Sequence, residues 1–418
     1  MKLYIISIVV LLCGYTIFSY IKTIVFIRKA KKYKKDTIPQ QKNEKNMVIA
    51  IPCLREQHHI ENTVRHFRNI TKDIPIILVT TSKEFAQPNY REQSTQEIIQ
   101  ERIMPQYSNV YWVEYPYTKG YMADQLNYML DRLPTILEKN IDLKNTYLAL
   151  YNADSYPSKE MFQEIENHIA KGRKVIQQYS YCMKNYETLS PLLKGFAIYQ
   201  SNFEIKTGLM NGCLNLSLLY THVVGHGLVV ELDTLKKLGN FNTKFWCEDM
   251  YLGLQLQYHH IPITPVYTLE NTETPNTLEK LIKQNAVWFT TTSQFYAMYT
   301  DIVKTGQGKH KWKGCIGMLN EGRCAINWLG FPFVLWTSTV LAVGLQEYVW
   351  LLAIIFSYIA YVTSNTVSTM RVISLLGNQT YKVTMGMIKN VLIATAISNI
   401  GPLYAIFAPK KEKYKTER

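Results

Sequence analysis

Long apolar stretches at both ends of the chain constrain its fold most, because about 20 apolar residues can cross a bilayer as one helix. Residues 3–27 are nearly all apolar, interrupted by Lys22 and a few small polar residues. Residues 326–367 hold two further apolar runs with a short polar break between them. The sequence therefore predicts a transmembrane helix within residues 1–27 and a transmembrane hairpin at residues 326–367.

The charge around the first apolar stretch predicts its orientation. A cleaved signal peptide is the alternative, but no small-residue cleavage site follows the stretch, which favours an uncleaved anchor. Basic residues crowd into positions 28–35, at the start of a juxtamembrane linker that we predict at 28–46. Positive charge on this side predicts that the chain beyond it is cytoplasmic and that the linker contacts an anionic leaflet.

The last part of the chain leaves its membrane topology open. Residues 301–325 mix apolar side chains such as Trp312 with Lys and Arg, which is typical of an interfacial segment. A third C-terminal membrane segment is predicted at 385–409, followed by a basic tail at 410–418. If every segment crosses, the basic tail lies outside, against the charge bias. Spanning, re-entrant and interfacial placements of the third segment therefore remain alternatives.

Residues 47–300 have the pattern of an α/β domain. Short apolar strands alternate with amphipathic helices, and together they predict a mostly parallel sheet with helices on both faces. The strands are predicted at 47–51, 74–80, 110–113 and 146–151, and the helices at 57–69, 91–102 and 123–137. The seven cysteines are scattered and form no CxxC pair, which indicates reduced thiols rather than disulfides or a zinc site. No basic stripe with interleaved aromatic residues occurs in this part, which argues against nucleic acid as a partner.

Two polar side chains follow the fourth predicted strand. Asn152 and Asp154 come directly after residues 146–151. Ligands of parallel sheets bind at the carboxyl ends of the strands, and oxygen atoms of this kind suit Mg²⁺ or Mn²⁺. The alternative is that Asp154 only caps the helix expected near Ser158.

Two helical patterns farther along carry groups suited to proton transfer and sugar binding. Glu248 and Asp249 open a helix, where carboxylates are stabilised by the helix dipole; Asp249 is also a candidate general base. Gln284 and Trp288 lie four residues apart and so share a helix face. The indole offers a flat surface for a sugar ring, and an ordinary buried tryptophan is the alternative.

Two further features are weaker. Lys119 is a candidate partner for a diphosphate, or an ordinary solvated lysine. Gly225-His226-Gly227 is too short for a phosphate loop, and it indicates either a close approach of backbone to ligand or a tight turn.

Taken in order, these motifs resemble one family. The chain is similar to the membrane-integrated family 2 glycosyltransferases of the cellulose, chitin and hyaluronan synthase type, over residues 48–288 and the flanking membrane segments. The matching segments are 50–56, 119–127, 152–154, 225–227, 239–249 and 273–288.

The resemblance implies a GT-A fold and a role for each matching residue. It implies an inverting transfer from a nucleotide-diphosphate sugar, most simply a UDP-sugar, to a growing polysaccharide or other glycan at the cytoplasmic face of the plasma membrane. It makes Asp249 and Glu248 catalytic, and gives Asp154 and Asn152 to a Mg²⁺ or Mn²⁺ ion. The substrate-binding residues that it implies are Gln284, Trp288, Lys119, Pro52, Glu56, Thr80, Ala153, Gly225, His226 and Gly227.

The sequence departs from the family pattern at three places. Asn152 stands where the family has the first aspartate of its metal motif, and Val287 stands where it has an arginine. The strand ending near Thr80 lacks the aspartate pair that usually contacts the nucleoside. These departures keep two alternatives open: a single addition to a lipid or lipid-linked acceptor, and a non-catalytic membrane scaffold.

Overall fold

The structure is a computed structural model that describes residues 2–35, 45–86, 93–138, 140–216, 223–305, 311–377 and 379–408. Its centre is a seven-stranded sheet in the order β3-β2-β1-β4-β7-β5-β8, and a two-stranded sheet, β6-β9, lies beside it. The strands are β1 Asn46–Pro52, β2 Ile76–Thr81, β3 Val110–Tyr115, β4 Thr146–Leu150, β5 Val175–Gln177, β6 Ser180–Tyr181, β7 Leu228–Glu231, β8 Ile263–Pro265 and β9 Glu270–Asn271.

The direction of β7 decides which loops meet. Every neighbouring pair in the large sheet is parallel except those of β7, which runs antiparallel to β4 and β5. Leu150 at the end of β4 pairs with Leu228 at the start of β7. The segment that enters β7 therefore lies at the edge where β1 and β4 end.

Helices cover both faces of the large sheet, because apolar side chains alternate along its strands. Val48 and Ala50 of β1 pack with Leu126 on one face, whereas Ile49 packs with Phe67 on the other. The predicted fold class is confirmed: a mostly parallel sheet with helices on both faces and membrane helices at both ends of the chain. The helices of the sheet domain are α2 Ile60–Thr71, α3 Thr95–Ile98, α4 Met122–Ile136, α5 Lys159–Ala170, α6 Pro191–Phe203, α7 Met210–Cys213, α8 Leu232–Lys237, α9 Glu248–Tyr258, α10 Leu278–Ser293 and α11 Phe295–Thr305.

Within the described ranges, four helices are long and apolar enough to cross a membrane: Lys2–Lys35, Trp312–Gly344, Tyr348–Leu376 and Met385–Phe407. We call them α1 (Lys2–Lys35), α12 (Lys311–Gly344), α13 (Tyr348–Leu376) and the pair α14 (Met385–Ala396) and α15 (Ile400–Phe407). They indicate an integral membrane protein.

Several elements differ in extent from the sequence prediction. Helix α1 continues through Lys35, so residues 28–35 of the predicted linker are helical, and residues 36–44 lie outside the described part. The predicted helix at 91–102 begins as α3 after its Ser94 cap and continues as a wider π turn at Ile99–Ile103. Residues 91 and 92 lie outside the described part. Of the predicted interfacial segment, residues 301–305 end α11 and residues 311–325 begin α12. Residues 306–310 and the predicted basic tail at 410–418 lie outside the described part.

The fourth apolar segment packs against the sheet domain. It breaks at residues 397–399, and its two helices lie along α6 and α10. The backbone contact is close: a Cβ on Gly401 of α15 would lie 2.4 Å from the Cβ of Asn285 in α10. This segment therefore supports two helices that also reach the site described next.

Candidate functional site

A cavity of about 1290 Å³ lies at the carboxyl edge of the large sheet. Its walls come from the segments that follow β1 and β4, the segment that enters β7, the start of α9, and one face of α10. The sequence-predicted residues that line it are Pro52, Glu56, Asn152, Ala153, Asp154, Gly225, His226, Glu248, Asp249, Gln284 and Trp288.

Asn152 and Asp154 stand on a tight turn after β4. The backbone N–H of Asn152 donates to the Ser155 hydroxyl at 3.2 Å, and the N–H of Ser155 donates back to the Asn152 carbonyl at 3.2 Å. Ala153 between them is buried, and its carbonyl accepts the Thr63 hydroxyl. The turn thus fixes the backbone that carries both polar side chains to the cavity wall.

The donor set fits a hard divalent cation. Asn152 and Asp154 offer an amide oxygen and a carboxylate, the oxygen ligands that Mg²⁺ and Mn²⁺ favour. Among the described residues, no group of three or more His, Cys, Asp or Glu side chains is arranged to hold a metal. An ion at this turn would therefore complete its coordination shell with phosphate oxygens and water, as Mg²⁺ commonly does.

A series of buried hydrogen bonds connects this turn to β9. Burial raises the pKa of the Tyr151 phenol well above its usual value, and the nearby Glu270 raises it further. The neutral hydroxyl donates to Gln178 Oε1 at 3.0 Å, and Gln178 Nε2 donates to Glu270 Oε2 at 2.5 Å. Glu270 also accepts the backbone N–H of Tyr156 at 2.5 Å, so these hydrogen bonds tie β4 to β9.

Asp249 lies at the start of α9, where the helix dipole favours a carboxylate. Its Oδ2 accepts the backbone N–H of Gly225 at 2.8 Å, and its Oδ1 accepts its neighbour Met250 N–H at 2.7 Å. A carboxylate has about four acceptor positions. Two donors therefore orient Asp249 and leave it capacity to accept a proton from a group in the cavity.

The approach of Gly225 to the acidic pair is close. A Cβ on Gly225 would lie 3.3 Å from Asp249 Oδ2 and 3.7 Å from Glu248 Oε1. The side chain of Gln177, in β5, holds the backbone on both sides of this glycine: its Oε1 accepts Val224 N–H at 3.1 Å, and its Nε2 donates to the His226 carbonyl at 3.0 Å. Gln177 had no sequence signal, because β5 is only three residues long.

One wall of the cavity is formed by α10. Gln284 is buried, whereas the Trp288 side chain is 40% exposed, and both line the cavity. Gln200 Nε2 lies 3.4 Å from Gln284 Oε1 and 3.1 Å from Asn285 Oδ1. The two cavity-facing residues thus occupy one helix face, as their spacing predicts.

Three sequence-predicted residues lie outside the cavity lining. Lys119 is exposed in the loop after β3, while its neighbour Gly120 lines the cavity. Thr80 is buried in β2, where its hydroxyl accepts the Trp112 indole N–H at 2.9 Å. Gly227 has a φ of +65° and donates its N–H to the Leu150 carbonyl at 2.7 Å, so it serves the junction of β4 and β7.

The cavity also extends between membrane helices, which the motifs did not indicate. Its lining includes Tyr15 of α1, Phe203 of α6 and Arg323 of α12. The only sequence signal for this extension was helical spacing: Arg323, Asn327 and Gly330 recur on one face of a mainly apolar helix.

The fold is similar to that of the mannosyltransferase PcManGT from Pyrobaculum calidifontis, solved in complex with GDP-Man and Mn²⁺. The TM-score is 0.53 at 11% sequence identity, and the match covers 97% of this chain and 100% of that chain. A solved mycobacterial protein matches 60% of this chain and 75% of its own, with 12% identity and a TM-score of 0.37. No protein-family model matches the sequence, and no curated protein matches it either. At such low identity, the first likeness shows a shared fold alone.

Proposed function

We propose that this protein is an inverting glycosyltransferase that moves a sugar from a nucleotide-diphosphate sugar to a glycan or lipid-linked acceptor at the membrane surface. One observation carries the proposal. Asn152 and Asp154, which suit a metal–diphosphate complex, line the same cavity as Asp249, which suits proton abstraction. These groups come from β4 and α9, which are distant in sequence, and they meet at the sheet edge where ligands of such folds bind.

Asp249 acts as the general base in this proposal. An acceptor hydroxyl bound beside it gives up its proton to the carboxylate while its oxygen attacks the anomeric carbon of the donor sugar. The bond from that carbon to the diphosphate oxygen breaks on the opposite face, so the configuration inverts. The N–H groups of Gly225 and Met250 hold the carboxylate in place during the attack.

The other end of the donor is neutralised at the turn after β4. A Mg²⁺ or Mn²⁺ ion, when bound, would stabilise the negative charge of the departing diphosphate. Asn152 and Asp154 are the residues that would hold it. Trp288 offers an aromatic face to the acceptor sugar, and Gln284 offers hydrogen bonds beside it.

The structural likeness supports the donor class. The similar mannosyltransferase was solved with GDP-Man and Mn²⁺, whereas the family resemblance of the sequence suggests a UDP-sugar. Both belong in the first assay. We place the sheet domain on the cytoplasmic side of the plasma membrane, because the basic end of α1 leads into it.

The experiment is donor turnover by the full-length protein in lipid nanodiscs. UDP- and GDP-sugars are supplied with Mn²⁺, and nucleotide release and radiolabelled product are measured, with EDTA as the control. We expect turnover from one donor, lost with EDTA and in Asp154→Ala. Absence of turnover from every donor, in membranes that also supply native lipids, would contradict the proposal and favour the non-catalytic alternative.

A further inference from the structure

The extension of the cavity between the membrane helices forms a groove with its own lining. On the α1 side lie Ile8, Leu11 and Tyr15, and on the α12 side the lining runs from Glu321 to Leu335. At 1.5 Å per residue, the α12 side is about 20 Å long. Apart from its end near Glu321 and Arg323, this groove is lined mainly by apolar side chains, unlike the polar cavity at the sheet edge.

The groove opens sideways toward the membrane. Leu11 and Ile326 line it and are nevertheless 70% and 68% exposed, as expected of residues at an opening to the outside. Helix α1 packs mainly along α13 and touches α12 far less, which leaves the gap between α1 and α12. In a bilayer, such a gap meets hydrocarbon chains rather than water.

The end of the groove farthest from the sheet is closed. Beyond Ile8, the helices pack through Ile5, Leu335, Ala342 and Ile354. An ion pair between Lys2 and Glu347, at 2.6 Å, lies at the same end. A polymer would need a passage across the membrane, but a lipid chain that enters from the side needs none.

Arg323 lies at the end of the groove nearer the sheet. Its guanidinium donates to Asn320 Oδ1 at 2.8 Å and lies 3.6 Å from Cys324 Sγ, both on its own helix. Within the described ranges it forms no ion pair with a carboxylate. Lys22 is near enough for the two positive charges to interact, while Glu204 and Glu321 line the same part of the cavity. An anion here would bind through the planar guanidinium fork, which matches phosphate geometry.

We propose that the acceptor is a saccharide joined through a phosphate to a lipid, and that this lipid occupies the groove between α1 and α12. Its apolar chain lies along Leu11 and Ile326, its phosphate contacts Arg323, and its sugar reaches Trp288 and Asp249. This inference rests on the proposed function and specifies its acceptor. The sugar hydroxyl loses its proton to Asp249 and gains the donor sugar, and the nucleoside diphosphate leaves.

A larger side chain at Gly330 would fill the groove and so test the proposal. It lines the cavity, and a Cβ placed on it meets no atom within 4 Å, so Gly330→Leu fills space without a clash. Gly14 in α1 is the matched control, because it also has open space around it but does not line the cavity. Leucine favours helix more than glycine does at both positions.

The probe is a photoreactive analogue of farnesyl phosphate, added to the full-length protein in phosphatidylcholine nanodiscs. We expect label in α1 and α12, displaced by farnesyl phosphate about tenfold better than by farnesol, the difference expected from a charged hydrogen bond. Arg323→Gln should abolish that preference, and Arg323→Lys should keep part of it. Gly330→Leu should remove the label, and Gly14→Leu should retain it.

The outcomes separate this inference from the proposed function. Equal displacement by farnesol, or label that survives Gly330→Leu, would overturn the lipid site even if donor turnover is measured. Label that follows the expected pattern in a protein that turns over no donor would support the lipid site and contradict the proposed transfer.

Discussion

Asp249→Asn is the sharpest test of the proposed chemistry, because the change removes a base and little else. The side chain keeps its size, and its remaining carbonyl oxygen accepts from either Gly225 or Met250, the two donors that now hold the carboxylate. The other donor then faces an NH₂ group. We expect the free energy of unfolding to fall by roughly 1–2 kcal/mol, from one hydrogen bond and a smaller helix-dipole term.

The effect on catalysis should be much larger. A positioned general base contributes about 10²–10⁴ in rate, which corresponds to about 3–5 kcal/mol in the activation free energy. We therefore expect kcat for sugar transfer to fall by that factor while the donor Kd changes little. The assay is transfer of radiolabelled sugar in nanodiscs, with donor binding measured separately by isothermal titration calorimetry.

Asp301→Asn is a matched control for this change. Asp301 also accepts two hydrogen bonds, from Lys244 Nζ and from the Tyr251 hydroxyl, each at 2.8 Å, but it does not line the cavity. We expect a similar loss of stability with transfer unchanged. If Asp249→Asn retains transfer within a few-fold of the unsubstituted protein, Asp249 is not the base and the mechanism is wrong.

Four further substitutions test the site and its support. Asn152→Asp adds a second carboxylate beside the first, and we expect Mn²⁺ to bind about tenfold more tightly, measured by electron paramagnetic resonance; unchanged affinity would argue against a metal at this turn. Gly227→Ala adds a side chain where φ is +65°, and its Cβ would lie 2.7 Å from the Cβ of Gln178. We expect the free energy of unfolding to fall by roughly 2–4 kcal/mol. Gly172→Ala is the control: φ is +71° and a Cβ meets no atom within 4 Å, so the free energy of unfolding should fall by only about 1 kcal/mol. Equal losses for the two variants in thermal unfolding would refute the predicted clash with Gln178. Gly195→Ala, whose Cβ would lie 2.2 Å from a backbone oxygen of α14, should loosen the α6–α14 contact, measured as faster proteolysis of the C-terminal segment.

The sequence predicted the part of the site that depends on strand ends. Strand β4 is a continuous apolar run, so the position of Asn152 and Asp154 at its end followed from the pattern alone. Their meeting with Asp249 depends on the antiparallel strand β7, and a four-residue strand gives no readable period. The strands β5, β6, β8 and β9 are shorter still and were not predicted.

Local backbone geometry also determines which residues of a motif line the cavity. Gly120 has a φ of +102°, which turns the chain so that this glycine, rather than Lys119, lines the cavity. Arg323 belongs to no sequence motif, because its place near the site depends on how α12 packs in the membrane. Its helical spacing with Asn327 and Gly330 marks one face of α12, but a single sequence does not show what that face packs against.

Helix α1 is longer than the hydrocarbon layer that it is expected to cross. Its 34 residues form a rod of about 50 Å, whereas the hydrocarbon layer is about 30 Å thick. The excess emerges beside the sheet domain, where Lys29 and Lys34 donate to the carbonyls of Cys213 and Leu375. The rod is thus fixed at one end to the sheet domain, and its other end is apolar enough to lie in lipid. We therefore expect the proposed transfer to depend on bilayer thickness: short acyl chains tilt α1, long ones thin around it, and either change moves the cavity from headgroup level and slows turnover.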